Sequence, residues 1–217
     1  MGEKKFSPLY LLSALYIIGV YAFVPLYLLL NHGAAQATSQ AEYSANTTDL
    51  PLLIPVVLGV LNLIAVLTLG RRASREQLLN CAIAIKYALI PFYIAGGLCI
   101  AAALLMMFTP VVIMVFLGPA IAIFFSIAGY VILLGGAPYA VGYLVRAGKE
   151  GVHHKALCIV AGILQFIFTA DVISMMILAL KEKKCVKATI FLLIVLLLAV
   201  AALVLFVIVK MVGVVLE

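Results

Sequence analysis

Charged residues are scarce in this sequence. Only 10% of its 217 residues are Asp, Glu, Lys or Arg, whereas 67% are hydrophobic. Soluble globular domains are typically about half apolar and about a quarter charged. A water-soluble fold of this length cannot bury so much apolar surface, because its exterior needs polar cover. The scarcity of charge therefore excludes an ordinary soluble domain and predicts an integral membrane protein, with the lipid bilayer as its main surroundings.

The sequence also lacks the patterns that mark common enzymes and metal sites. No G-x-S-x-G, H-E-x-x-H or Walker A motif occurs in it. Its cysteines form no C-x-x-C pair, and the adjacent His153 and His154 would point apart on a helix. The four cysteines are Cys81, Cys99, Cys158 and Cys185. We therefore predict no metal and no cofactor, and we favour a non-enzymatic role.

A basic surface for nucleic acid is missing as well, although the formal net charge is +6. Lysines and arginines cluster at the ends of apolar runs, as signals of membrane orientation do. No basic stripe with interleaved aromatic residues appears, which is the pattern expected of a nucleic-acid interface. The positive charge thus indicates membrane orientation and no nucleic-acid partner.

Six apolar stretches reach the length of about 20 residues that a helix needs to cross a bilayer. They indicate a single integral membrane domain over residues 1–217, an all-α, polytopic bundle of about six transmembrane helices. We expect a multi-pass protein of the cytoplasmic (plasma) membrane. The candidate spans are roughly 9–30, 51–70, 87–108, 111–134, 156–180 and 188–209.

Two connections differ in charge and so predict the orientation of the chain. Residues 31–50 are polar but contain no Lys or Arg, whereas residues 70–76 carry three arginines. The positive-inside rule places the first connection outside and the second, together with the N-terminus, in the cytoplasm. Ser74 and Gln77 form a capping-box pattern, which predicts that a helix begins there. Pro91 should kink that helix.

A third connection, residues 181–187, contradicts the simplest topology. It carries four lysines, yet six spans would place it outside, against the positive-inside rule. A re-entrant hairpin at 156–180, turning near Thr169 to Asp171, would return the lysines to the cytoplasm. We favour the full span, because 25 apolar residues form a more usual helix than two short arms. Both topologies stay open.

Asp171 is the only acidic residue inside a predicted span. Ionisable residues within membranes are costly and are functional hypotheses by default. On a straight helix Asp171 shares a side with Ser174 and lies about 24 Å from the cytoplasmic end. That depth favours His32 as its neighbour and excludes Lys86, whereas a re-entrant turn would bring Asp171 within easier reach of Lys86. Asp171 is either a substrate, cation or proton site or a helix-packing carboxylate.

Two amide side chains lie at about equal depth in the second and fifth candidate spans. Asn62 and Gln165 could hydrogen-bond between helices, a structural role that we favour. They could also line a pocket together with Asp171. The candidate ligand-binding residues are therefore Asp171, Asn62, Gln165, Ser174 and His32, with no catalytic residue assigned.

Two segments carry a family resemblance. IKYALIPFY (Ile85–Tyr93) and ILQFIFTADVISMM (Ile163–Met176) resemble segments of small, uncharacterised membrane proteins of Gram-positive bacteria, which are grouped as domains of unknown function. The resemblance implies a bacterial cytoplasmic membrane and no activity. In size and span count alone, the chain is also similar to the substrate-binding components of energy-coupling-factor vitamin transporters.

These observations predict a small transport-type or accessory membrane subunit that binds a small molecule or a partner. One alternative is a membrane-embedded enzyme acting on a lipid-like substrate through Asp171 and His32. The other is a structural or signalling protein joined to further membrane subunits through small-residue faces. The glycine pairs Gly96–Gly97 and Gly135–Gly136 suit such close helix packing.

Overall fold

The computed structural model describes residues 8–32, 48–108 and 111–195. Over these ranges the protein is helical and contains no strand, which confirms the all-α class. The chain divides into two compact units, Met1–Met175 and Met176–Glu217. The bundle and the candidate site described below belong to the first unit.

The first unit contains most of the helices. A short 3-10 helix, Leu50–Leu53, precedes α2, and another, Met106–Phe108, follows α4. Helix α7 begins in the first unit and ends in the second, which also contains α8. The helices are α1 (Pro8–Leu30), α2 (Ile54–Thr68), α3 (Arg75–Ala88), α4 (Ile90–Leu105), α5 (Val112–Lys149), α6 (Lys155–Leu164), α7 (Ala170–Lys181) and α8 (Val186–Val195).

Four helical segments of the described residues are long and apolar enough to cross a membrane. They correspond to the first four predicted spans and are Pro8–Leu30, Leu50–Thr68, Arg75–Phe108 and Val112–Lys149. The third is interrupted at Leu89, close to Pro91, because a proline has no N–H for the helical ladder. The capping box is confirmed, since Ser74 Oγ accepts from the Gln77 N–H and Gln77 Oε1 accepts from the Ser74 N–H.

The structure departs from the predicted spans in the second half of the chain. Helix α5 does not end near residue 134 but runs on to Lys149, through Gly135 and Pro138. The predicted helix 156–180 is two short helices, α6 of 10 residues and α7 of 12 residues. Of the predicted span 188–209, only residues 188–195 are described, and they are helical; residues 196–209 lie outside the described ranges.

The interruption between α6 and α7 has a local backbone cause. Thr169 lies in the left-handed region with φ 68°, which is unusual for a β-branched residue and incompatible with a continuous α-helix. The Ala170 N–H bonds back to the Phe168 carbonyl at 2.7 Å, which tightens the turn. The break covers residues 165–169, so it meets the turn that the alternative topology predicted near Thr169 to Asp171 only at Thr169.

Helix α5 is the centre of the bundle, with α2, α3, α4 and α6 packed against it and α1 packed against α2 and α3. A tight approach between helices lies at Gly135, where an added Cβ would collide with the Tyr16 ring and hydroxyl. An added Cβ at Gly59 would likewise lie 2.9 Å from the Gly135 Cα. Glycine is required where α1, α2 and α5 meet, as in tightly packed membrane helices. By contrast, an added Cβ at Gly96 or Gly97 would meet no atom of another described element within 4 Å.

Candidate functional site

A buried ion pair joins the end of α3 to the start of α7. The Lys86 ammonium lies 2.5 Å from an oxygen of the Asp171 carboxylate, and each side chain is only 1% exposed. The pairs that Glu150 makes with Arg75 and Arg146 are much more exposed. Lys86 and Asp171 are therefore the two described charges that the fold has taken furthest from solvent.

This pair shows that the straight-helix prediction for Asp171 was wrong. That prediction placed the Asp171 carboxylate too deep in the membrane to reach Lys86. In the structure α6 is only 10 residues long, about 15 Å at the usual rise, and the chain then leaves the helical path. Helix α7 starts beside the last turn of α3, so Asp171 lies at the level of Lys86.

Burial makes this pair energetically sensitive. Removing two ions from water is costly, and their attraction repays that cost only with good geometry. Here each charge has the other as a direct hydrogen-bond partner. Removing one partner would leave an uncompensated charge in an apolar interior, which is the most destabilising change that such a pair allows.

The break between α6 and α7 gathers two more of the predicted residues around Asp171. Gln165 donates from Nε2 to the Ser174 hydroxyl at 2.8 Å and to the Ala161 carbonyl at 3.2 Å. Ser174 in turn donates to the Asp171 carbonyl at 2.9 Å. The carboxylate also lies in the first turn of α7, where the helix dipole favours a negative charge. Asp171, Gln165 and Ser174 thus form one polar cluster.

Two buried polar atoms of this region have no hydrogen-bond partner among the described residues. They are the Gln165 Oε1 and the Tyr93 hydroxyl. The Tyr93 ring packs edge-on against Phe168, three residues before Asp171, at a centroid distance of 6.1 Å. Buried polar atoms are nearly always paired, so two orphans beside a buried ion pair indicate unused binding capacity.

Tyr93 was not among the predicted site residues. Its signal in the sequence is the spacing of seven from Lys86, two helical turns, which would place both on the same helical side. That spacing crosses the interruption at Leu89, so periodicity alone does not establish it.

Asn62 belongs to a different cluster, on α2 and α5. Its Nδ2 donates to the Gly135 carbonyl at 3.1 Å, and its Oδ1 accepts from the Tyr139 hydroxyl at 3.2 Å. Nearby, the Tyr16 hydroxyl donates to the Ile132 carbonyl at 2.6 Å. Among the described residues, no hydrogen bond links Asn62 to Gln165 or Asp171, so the three do not form the single cluster that the sequence suggested.

His32 is exposed, in the turn after α1. Among the described residues, no hydrogen bond or ion pair joins His32 to Asp171, whose carboxylate pairs with Lys86. Asp171 thus has the partner that the straight-helix prediction excluded.

His153, one of the two adjacent histidines considered as metal ligands, contacts a tyrosine. His153 Nε2 lies 3.0 Å from the Tyr143 hydroxyl, and the two rings pack at a centroid distance of 6.4 Å. Within residues 8–32, 48–108 and 111–195, no group of three His, Cys, Asp or Glu side chains lies together.

Over the described residues, this is an all-helical protein with four segments of membrane-crossing length and a buried ion pair at a broken helix. The chain belongs to the DUF6652 family, a family of unknown function whose model matches residues 9–184. The match includes Lys86, Asp171 and both segments that carried the sequence resemblance. No curated protein and no solved structure matches the chain.

Proposed function

We propose that this protein is a non-enzymatic, transport-type membrane protein in which Asp171 binds a proton or small cation in exchange for Lys86. The observation that carries the proposal is the fully buried Lys86–Asp171 pair at the break between α6 and α7. Ionisable residues inside membrane helices commonly mark ion pathways and proton relays.

The broken helix supports the same role. Many transporters form their substrate and ion sites from discontinuous helices, whose ends expose backbone groups and partial charges to the bound species. Asp171 lies in the first turn of α7, directly after such a break. A proton or cation arriving at the carboxylate would release Lys86, while the unpaired Gln165 Oε1 could accept a hydrogen bond or coordinate the cation.

The test is ion movement across a bilayer. Purified full-length protein would be reconstituted into vesicles containing the pH dye pyranine, and dye response would be followed after a step in external pH, sodium or potassium. We expect a cation-dependent proton flux with the natural sequence and none with Asp171→Asn, which removes the charge at nearly constant shape. Glu150→Gln is the matched control, because it removes a carboxylate from exposed ion pairs. Equal traces from the natural protein, Asp171→Asn and empty vesicles would reject the proposal.

A structural role is the second candidate, because Lys86 and Asp171 are direct partners and helix packing alone could require them. The double change Lys86→Met with Asp171→Leu separates the two. It replaces the pair by apolar side chains, which is often neutral or stabilising for a purely structural pair. A folded double variant that still carries flux would assign the pair to packing, and a folded but inactive one supports the binding role.

A further inference from the structure

A second candidate site lies in a groove between α2 and α5. The groove has a volume of about 930 Å³, at the upper end of the range of about 300–1,000 Å³ that is usual for small-molecule sites. Its walls are almost entirely apolar and include Val60, Leu63, Val141 and Val145. None of the residues that line it belongs to the Lys86–Asp171 cluster.

The charge of the groove is confined to one end. Arg71, Arg146 and Lys149 line it where α2 has ended and α5 is ending. Arg146 is held in place, since its guanidinium donates to the carbonyls of Gly70 and Ala73 and pairs with Glu150. Glu150 also pairs with Arg75, so the nearby acidic charge is already matched by cations.

Two cations at this end remain available. Arg71 and Lys149 are exposed and have no ion-pair or hydrogen-bond partner among the described residues. The groove extends along α2 from Pro55 to Gly70, fifteen residues or about 22 Å at the helical rise. That length exceeds half of a hydrocarbon core of about 30 Å and so accommodates one lipid of a single leaflet, headgroup included.

We infer that this groove binds one anionic phospholipid, with an acyl chain along the apolar walls of α2 and α5 and its phosphate at Arg71 and Lys149. The length and apolar walls of the groove suit an acyl chain, and the positive charges of Arg71 and Lys149 suit an anionic headgroup. Basic pockets between membrane helices are known to select anionic headgroups in this way. The inference is independent of ion movement at Asp171, because the two sites share no residue.

The selectivity of the groove for anionic lipid can be measured directly. Full-length protein in detergent would be titrated with phosphatidylglycerol or with phosphatidylcholine of the same acyl chains, and bound lipid counted by native mass spectrometry. We expect one phosphatidylglycerol to be retained about 30-fold more tightly than phosphatidylcholine, since each of the two cations near a headgroup contributes about fivefold. Arg71→Gln with Lys149→Gln should remove most of that preference. Arg72→Gln, an exposed neighbour outside the groove, should leave it unchanged.

A second pair of variants tests the apolar walls. Val60→Trp would fill the groove and should abolish retention of phosphatidylglycerol, whereas Val24→Trp, on an exposed part of α1, should not. Equal retention of both lipids, or a preference that survives Val60→Trp, would overturn the inference. So would a dimeric mass that replaces the lipid adduct and disappears in Val60→Trp, because the occupant would then be a second copy of this chain.

Discussion

The two polar clusters of this bundle are opposite in character. On α1, α2 and α5, the polar groups of Tyr16, Asn62 and Tyr139 are neutral, and each forms a hydrogen bond. At the end of α3 and the break before α7, Lys86 and Asp171 are ionisable, and unpaired polar atoms lie near them. Both clusters are buried, so burial alone does not distinguish them.

The two clusters differ in whether their polar groups are already fully paired within the protein. The hydrogen bonds of a neutral, fully paired cluster hold neighbouring helices together. Gly135 allows these bonds to form, because it lets α1, α2 and α5 approach closely. A charged cluster with unpaired neighbours costs free energy unless something binds there. We therefore assign helix packing to the Asn62 cluster, whereas binding at the Asp171 cluster is what we propose.

The largest effect should come from breaking the ion pair on one side only. Asp171→Ala leaves the Lys86 ammonium buried without a partner and should lower the free energy of unfolding by about 3–5 kcal/mol. Lys86→Met with Asp171→Leu should recover most of that loss. Thermal unfolding in detergent, followed by far-UV circular dichroism, would measure both.

Glu150→Ala is the control for this comparison. It breaks exposed ion pairs, which typically contribute about 0–1 kcal/mol. If Asp171→Ala were no more destabilising than Glu150→Ala, the Lys86–Asp171 pair would not be buried as described.

An intermediate effect is expected where α1 packs tightly against α5. Gly135→Ala would force a Cβ against the Tyr16 ring, and overpacking of this kind costs about 1–3 kcal/mol. Gly97→Ala meets no neighbour and should be neutral or stabilising by up to about 1 kcal/mol, since alanine is the better helix former. The same unfolding assay would compare them, and equal midpoints would contradict the packing of α1 on α5.

The smallest effect should come from two tyrosine hydroxyls, one in each cluster. Tyr16→Phe removes the hydrogen bond to the Ile132 carbonyl and should cost about 0.5–1.5 kcal/mol. Tyr93→Phe removes a hydroxyl for which the described part of the chain offers no partner, so stability should stay unchanged or rise. A loss of stability in Tyr93→Phe as large as that in Tyr16→Phe would show that the Tyr93 hydroxyl is bonded after all.

Much of the fold follows from local patterns in the chain. The first four membrane-length segments and the helix start at Ser74 agree with the structure, because span length and capping depend on neighbouring residues alone. Gly135–Gly136 was correctly associated with close packing, yet Gly96–Gly97 has no close neighbour. The same dipeptide has different surroundings in the two helices, and no local rule separates them.

Composition and periodicity predict the apolar character of the chain, its helical class and the burial of Asn62, Gln165 and Asp171, because they dictate which surroundings a segment can tolerate. They do not predict that residues 156–180 break before Ala170 or that Asp171 pairs with a buried Lys86, which follow from the packing of the helices. A stretch that is apolar on both sides of a break has no hydrophobic signal to locate it. Pairing across 85 positions depends on the level that each helix reaches, which is a property of the packed bundle.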